Sequence, residues 1–285
     1  MVKNDPRVDL HLHTTASDGT WSPEELVFNL VKADIELFAV TDHDSTESLK
    51  DVAALAHQSG LLFIPGVEIN TSHQGRNYHI LGLGIDPVNT KLQTLLNTNK
   101  KLMDAKDDDS IRYLETKYSA VSFSEYQAYT NRRERGGWKA LNYLIDKKLC
   151  HNHQDFFQLF KEWGNNPFER LTFAAPAEAA VAIHDAGGVS ILAHPGASFY
   201  DPDYQTLVGF MIGQGIKGIE CYHPENNRAI TEYCLEICRE NHLAVTGGSD
   251  CHGEFVCGRC LGTPDIHLSQ LDLGNIRSSL RRVDI

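Results

Sequence analysis

The sequence predicts an α/β protein: one barrel on a largely parallel sheet with helices outside it, interrupted by an inserted helical module. Three observations lead there. Short apolar runs alternate with helix-patterned stretches from Val8 to Asp86 and again from Ala175 onward, as expected of strands joined by crossover helices. Between them, Thr90 to Phe173 carries polar-rich helical patterns and little strand signal. His, Asp and Glu recur at the C-terminal ends of the apolar runs or within them, and those strand ends are where barrels carry their reactive groups.

Residues 8–13, V-D-L-H-L-H, suit the first strand. Residues two apart in a strand share a face, so His11 and His13 project into one space. Ser22-Pro23-Glu24-Glu25 opens a helix, with Ser22 as N-cap, Pro23 at the first position and Glu25 closing a capping box. Leu26, Leu30 and Val31 form its apolar stripe. Residues 37–41 form the second strand, and 45–59 a helix that stops at Gly60. Strands three and four are expected over 61–68 and 78–85. In the insert, Leu92, Leu95, Leu96, Leu102 and Met103 fit a helical period. Phe156, Phe157, Leu159, Phe160 and Trp163 read as its core rather than a base-stacking platform. Helices over 176–186, 204–212 and 227–241 then alternate with strands over 188–193, 216–222 and 243–246. The expected division is a discontinuous barrel, residues 1–88 and 174–285, with an insert, residues 89–173, that caps the active site.

Composition narrows the function. The chain has 285 residues, enough for one large domain with an insertion. With 26 Lys and Arg against 38 Asp and Glu, the formal charge is −12. That argues against stable duplex binding, which needs a basic face. It does not exclude a small phosphorylated substrate, because bound divalent cations reverse the local sign. Asp107-Asp108-Asp109 reads as an exposed face. No apolar run reaches the roughly 18–20 residues of a membrane span, and the first residues lack a signal-peptide core, so a cytoplasmic protein is expected. Seven cysteines without a secretion signal point to reduced thiols. Cys257-x-x-Cys260 lacks the second half of a zinc site.

The informative feature is an ordered series of ligand-type residues. His11-x-His13 is followed by Asp18, Thr41-Asp42-His43-Asp44, Gly66-Val67-Glu68, Tyr78-His79-Ile80, Ala193-His194-Pro195 and Gly248-Ser249-Asp250-Cys251-His252. Imidazole and carboxylate donors suit Zn²⁺, Mn²⁺ or Fe²⁺. All fall at strand ends except His79, which lies near the start of its run. Asp42 reads as an orienter of a neighbouring imidazole.

This series resembles the PHP family, named for polymerases and histidinol phosphatases, and in particular its small phosphoesterase branch, which acts on nucleoside 3′,5′-bisphosphates and short RNA. The resemblance implies a distorted seven-stranded β/α barrel with two or three divalent metal ions. His11, His13, Glu68 and Asp250 would hold the first; Glu68 would bridge to a second completed by His79 and His194; Asp18, His43 and His252 would hold the third. Asp18, His43, Glu68, His194 and His252 are the implied catalytic set. Such a cluster lowers the pKa of bound water toward about 7 and neutralises phosphoryl oxygens, so a nucleophilic Cys251 is not needed. Histidinol-phosphate phosphatase, or an amide or lactone hydrolase on the same barrel, are the alternatives.

A phosphorylated substrate, whether a nucleotide or a short single-stranded oligonucleotide end, also needs contacts away from the metals. Arg135-Gly136-Gly137-Trp138-Lys139 precedes an apolar helix and reads as an anion-binding helix start, with Arg135 and Lys139 as substrate-binding residues. Arg259 is a further candidate. His223 and Glu225, after a strand end, line the mouth without counting as ligands.

Overall fold

The computed structural model describes residues 5–161, 167, 171–200 and 203–276. In chain order its elements begin with β1 (Val8–Asp9), α1 (Pro23–Lys32), β2 (Leu37–Val40), α2 (Leu49–Ser59), β3 (Leu62–His73) and β4 (Arg76–Leu83). The insert follows with α3 (Thr90–Glu115), α4 (Phe123–Ala128), α5 (Lys139–Asp146) and α6 (His153–Gln158). The chain then returns through α7 (Pro176–Asp185), β5 (Val189–Leu192), α8 (Tyr204–Gly213), β6 (Gly218–Tyr222), α9 (Arg228–Asn241) and β7 (Ala244–Gly247). The strands pair in the order β1 to β7 in one mixed, seven-stranded sheet. The local signals act as expected: Ser22 and Glu25 form a reciprocal capping box, and Gly60 ends α2 at φ +69°.

One strand departs from the parallel expectation. β4 runs antiparallel to both β3 and β5, while the other pairings are parallel. β3 continues past Glu68 to His73 and turns back through Gln74 and Gly75, both left-handed at φ +50° and +76°. A two-residue turn of this kind closes a hairpin, whereas a parallel return needs a crossover of a dozen or more residues. The reversal accounts for His79: it lies opposite Asn70 of β3, and its carbonyl accepts from Ala193 N–H beside the C-terminal end of β5. The first strand is shorter than the 8–13 run because its outer half bonds irregularly. Leu10 N–H donates to Gly247 O at 3.1 Å, His13 N–H to Cys251 O at 3.0 Å, and Thr41 N–H to Leu12 O at 2.8 Å.

Two apolar cores result. The larger lies among the sheet and its helices, with Leu10, Leu12, Leu26, Phe38, Phe63 and Ile191 buried. The insert has its own, built on Ile111, Leu114, Leu141, Tyr143, Phe156 and Phe160; Trp163 lies outside the described residues. Helix α3 joins them, with Leu92 and Leu96 in the first core and Ile111 and Leu114 in the second. The same helical phase buries Asp107, correcting its reading as surface: it shares a face with Ser110, Ile111 and Leu114. Its carboxylate accepts from Ala140 N–H near the start of α5 (3.3 Å) and pairs with buried Lys106 (2.7 Å). No described helix is long and apolar enough to cross a membrane.

Candidate metal centre

The centre assembles at one end of the sheet. His11 and His13 follow β1, Asp18 and His43 sit in the next loops, and Glu68 and His79 lie on the β3–β4 hairpin. His194 follows β5, and Asp250 and His252 follow β7. His194 (φ +29°) and Asp250 (φ +53°) hold backbone conformations that L-residues rarely adopt, of the kind that recurs at functional sites.

Glu68 is the hub. Its Oε2 lies 3.1 Å from His11 Nε2, 3.2 Å from His13 Nε2 and 3.3 Å from His43 Nδ1. Its Oε1 faces a different pair, His79 Nδ1 at 2.9 Å and His194 Nε2 at 3.0 Å. Asp250 Oδ1 lies 3.0 Å from His13 Nε2 and 3.3 Å from His11 Nε2, and His252 Nε2 lies 3.3 Å from Asp18 Oδ1. Three groups of donor atoms could each hold an ion: His11, His13, Glu68 and Asp250; His13, Asp18, His43 and His252; and His43, Glu68 and His79. The structure thus brings together all nine residues that the sequence singled out as ligands.

The donor chemistry fits cations. His13 Nε2, His43 Nδ1 and Asp250 Oδ1 are buried yet make no hydrogen bond, although imidazole and carboxylate atoms face each other at 3.0–3.3 Å. Burial drives His43 down to about 3, leaving a neutral imidazole able to ligate. Burial alone would raise the Glu68 and Asp250 carboxyls, but the imidazoles around them, His43 and His11 at Glu68 and His11 and His252 at Asp250, hold both well below the usual range. His13 is raised to about 10: burial opposes this, but its contacts with Asp250 and Glu68 prevail. The cluster's carboxylates therefore attract positive charge, and a divalent cation would displace these protons.

The surroundings correct several sequence readings. Among the described residues, Asp42 meets no imidazole. It accepts from Thr14 N–H (2.7 Å) and from the hydroxyls of Thr14 (2.8 Å), Ser17 (2.7 Å) and Ser48 (2.6 Å), and so fixes the loop that carries Asp18. The carboxylate that does orient an imidazole is Glu220 on β6, fully buried, 3.0 Å from His11 Nδ1. Its other oxygen accepts His194 N–H at 2.7 Å. Sequence reasoning passed over Glu220; the signal was a lone charge inside the apolar run Gly218–Tyr222. Arg259 pairs with Asp250 and, at 3.2 Å, with Glu225.

Among the described residues, Arg135 and Lys139 find their polar partners away from the nine ligand candidates. Arg135 pairs with Asp146 at 2.6 Å; Lys139 lies over the Tyr126 ring and donates to Gln127 O at 3.3 Å. Three amides of the expected anion site are already engaged, Gly136 N–H by Arg133 O (2.9 Å), Gly137 N–H by Asp18 O (2.8 Å) and Ala140 N–H by Asp107. The glycine pair serves contact instead. Gly136 has φ +70°, and a Cβ there would lie 2.7 Å from both Asp18 O and Phe255 Cβ.

Comparison with known proteins adds the family. A family model described as the PHP domain matches residues 9–166, more than half of the chain. The chain belongs to the PHP family. This PHP chain is similar to a 5′-3′ exoribonuclease of Haemophilus influenzae, 29% identical over 256 residues that cover 88% of this chain and 91% of that protein. It is also similar to a 3′,5′-nucleoside bisphosphate phosphatase of Chromobacterium violaceum, 28% identical over 263 residues, 90% of each. A solved structure from Bifidobacterium adolescentis, of a protein assigned as a metal-dependent phosphoesterase, matches with a TM-score of 0.79 at 24% identity over 96% of both chains. That likeness supports the PHP fold.

Proposed function

We propose that this protein hydrolyses a phosphate ester on a small nucleotide-like substrate, either a nucleoside bisphosphate or the end of a short single-stranded RNA. Its family makes it a metal-dependent phosphoesterase; the substrate is the finer reading. The observation that carries it is the division of Glu68, whose two oxygens face separate sets of imidazoles, the arrangement a bridging carboxylate needs. In this reading His11, His13, Glu68 and Asp250 hold one ion, Glu68, His79 and His194 a second, and Asp18, His43 and His252 a third. Bound divalent cations of the Mn, Zn or Fe class would supply Lewis acidity and a water acidic enough to attack at neutral pH.

The chain's own residues define the approach. His43, Asp18 and His79 have side chains 23, 22 and 18% exposed, while the other six ligand candidates are nearly closed to solvent. The mouth therefore opens on the His43–His79 side. Phe199, 54% exposed, stands there with its ring centroid 5.4 Å from His79, and offers a flat face on which a base could stack. Both relatives act, by name, on nucleotides or RNA. Arg135 remains the candidate for a second phosphate, exchanging its Asp146 partner for the ligand.

The same reading takes the sheet as a closed, distorted barrel, supported by the Leu10–Gly247 and His13–Cys251 bonds. It takes residues 89–173 as a cap over the metal end. Support comes from Gly137 on Asp18 O and from Asn99 of α3, which donates to Asp44 Oδ1 (2.7 Å) and Asn70 O (2.8 Å). The test is a metal-loaded enzyme offered adenosine 3′,5′-bisphosphate, 5′-phosphorylated RNA trimers, histidinol phosphate, p-nitrophenyl phosphate and a lactone. The nucleotide substrates should exceed p-nitrophenyl phosphate in kcat/KM by at least roughly tenfold, the worth of one stacked base. Preference for histidinol phosphate or the lactone would overturn the reading.

A further inference from the structure

His223 follows β6 and is almost fully buried beside the centre, its ring centroid 5.3 Å from His194 and 6.2 Å from His11. An imidazole so placed invites assignment as a tenth ligand. Its hydrogen bonding says otherwise. A neutral imidazole carries one N–H and one lone pair, and the partner of one nitrogen fixes the state of the other. At His11, Nδ1 faces the Glu220 carboxylate at 3.0 Å. At His252, Nδ1 faces the Asp250 carbonyl at 2.7 Å. Both partners are acceptors, so each Nδ1 carries the proton and each Nε2 presents a lone pair to the centre. At His223 the polarity is reversed: Nδ1 accepts the Glu225 backbone N–H at 3.1 Å. The proton is therefore on Nε2, which has no lone pair to give a metal.

That Nε2–H is buried and makes no hydrogen bond inside normal limits. Asp250 Oδ2 lies 3.6 Å from it. The same Oδ2 also receives Arg259, whose other terminal nitrogen reaches Glu225 Oε2 at 3.2 Å. The four residues form a ring: Glu225 sets the tautomer of His223, His223 and Arg259 both face Oδ2 of Asp250, and Arg259 returns to Glu225. Oδ1 of Asp250 is left facing His11 and His13.

We propose that His223, Arg259 and Glu225 form a clamp on the outer oxygen of Asp250, presenting its inner oxygen to the metal, and that neither His223 nor Arg259 ligates metal or meets the substrate. His223 and Arg259 are positioning residues, which moves Arg259 out of the substrate-binding set. The inference rests on the reading of Asp250 as a metal ligand.

The test measures Mn²⁺ binding to the full-length protein after chelator stripping, by competition with a fluorescent chelator and by metal analysis. Asp250→Asn should bind metal poorly; if it binds as wild type does, the ligand reading itself is wrong. Given that loss, His223→Ala should weaken metal affinity by about 10- to 100-fold, the usual effect of removing an outer partner of a ligand. His223→Gln, whose amide N–H can occupy the Nε2 position, should restore most of it. His223→Asn keeps an acceptor for Glu225 N–H but is too short to reach Asp250, and should resemble the alanine variant. Gln as weak as Ala, or Ala unchanged, would overturn the clamp. Arg259→Met decides the matter independently should the His223 variants not fold, as judged by metal-free circular dichroism. It should weaken metal binding and lower kcat/KM by the same factor on adenosine 3′,5′-bisphosphate and p-nitrophenyl phosphate. Unchanged metal affinity with a loss confined to the bisphosphate would return Arg259 to the substrate and sink the proposal.

Discussion

At the scale of single residues, the centre divides into groups that should fail differently. Glu68 serves two sets of imidazoles, whereas Asp18 serves one. Glu68→Gln should therefore release more than one ion per chain and Asp18→Asn no more than one; equal losses, read by metal analysis, would contradict the bridge. Arg135 tests the second phosphate. A charge-assisted contact contributes on the order of 1.5–3 kcal/mol, so Arg135→Ala should lower kcat/KM for a nucleoside bisphosphate by roughly 10- to 100-fold. p-Nitrophenyl phosphate should be little affected, and an equal loss on both would place Arg135 at the reacting phosphoryl group instead. Phe199→Ala should lower kcat/KM on nucleotides by about 1–3 kcal/mol equivalent, and Phe199→Trp should preserve it. A loss unaffected by the presence of a base would show that the ring only shields His79.

At the scale of elements, the hairpin and the insert matter most. The hairpin turns β4 around, so that His79 enters the centre from the start of its strand while His43 and His194 enter from the ends of theirs. The insert touches the loops that carry His43 and Asp18, through α3 at Asn99 and through the Gly136–Gly137 turn before α5. A Cβ at Gly136 meets backbone and ring atoms at 2.7 Å in a conformation with φ +70°, which costs on the order of 1–3 kcal/mol. Gly136→Ala should loosen the insert: faster protease cleavage within residues 89–173 and a raised KM, with the far-UV spectrum retained. Wild-type proteolysis kinetics would mean that the turn carries no docking load.

At the scale of the molecule, the centre concentrates buried carboxylates, Asp9, Asp42, Asp44, Glu68, Glu220 and Asp250 among them, beside several buried imidazoles. Cations that bind only the folded chain stabilise it, by about 2.7 kcal/mol for one site filled at 100 times its Kd. Stripping metal with a chelator should thus lower the melting temperature by roughly 5–10 °C; an unchanged Tm after verified removal would mean that the ions contribute little to the fold. The chain carries a formal charge of −12, and bound divalent cations would reverse the local sign at the centre.

The sequence by itself carried what depends on short spacing. His11-x-His13, Thr41-Asp42-His43-Asp44 and Ser249-Asp250-Cys251-His252 declare their chemistry within a few residues, and the alternation of apolar runs gave nearly every strand and helix of the sheet. Ser22 and Gly60 closed their helices as local rules require. Tertiary structure alone decided which partner each polar group meets. Asp42 stands beside His43 in the chain, yet it holds the hydroxyls of Thr14, Ser17 and Ser48, while the carboxylate that orients His11 comes from Glu220, far along the chain. Asp107 sits in an acidic run but is buried against Ala140 by the phase of α3. His223 has the side chain of a ligand, yet its Nδ1 accepts the Glu225 N–H, which leaves the proton on Nε2. The physical reason is common to all four: spacing fixes the face on which a side chain emerges, but the partner and protonation of a buried group depend on distant strands that the fold brings opposite it.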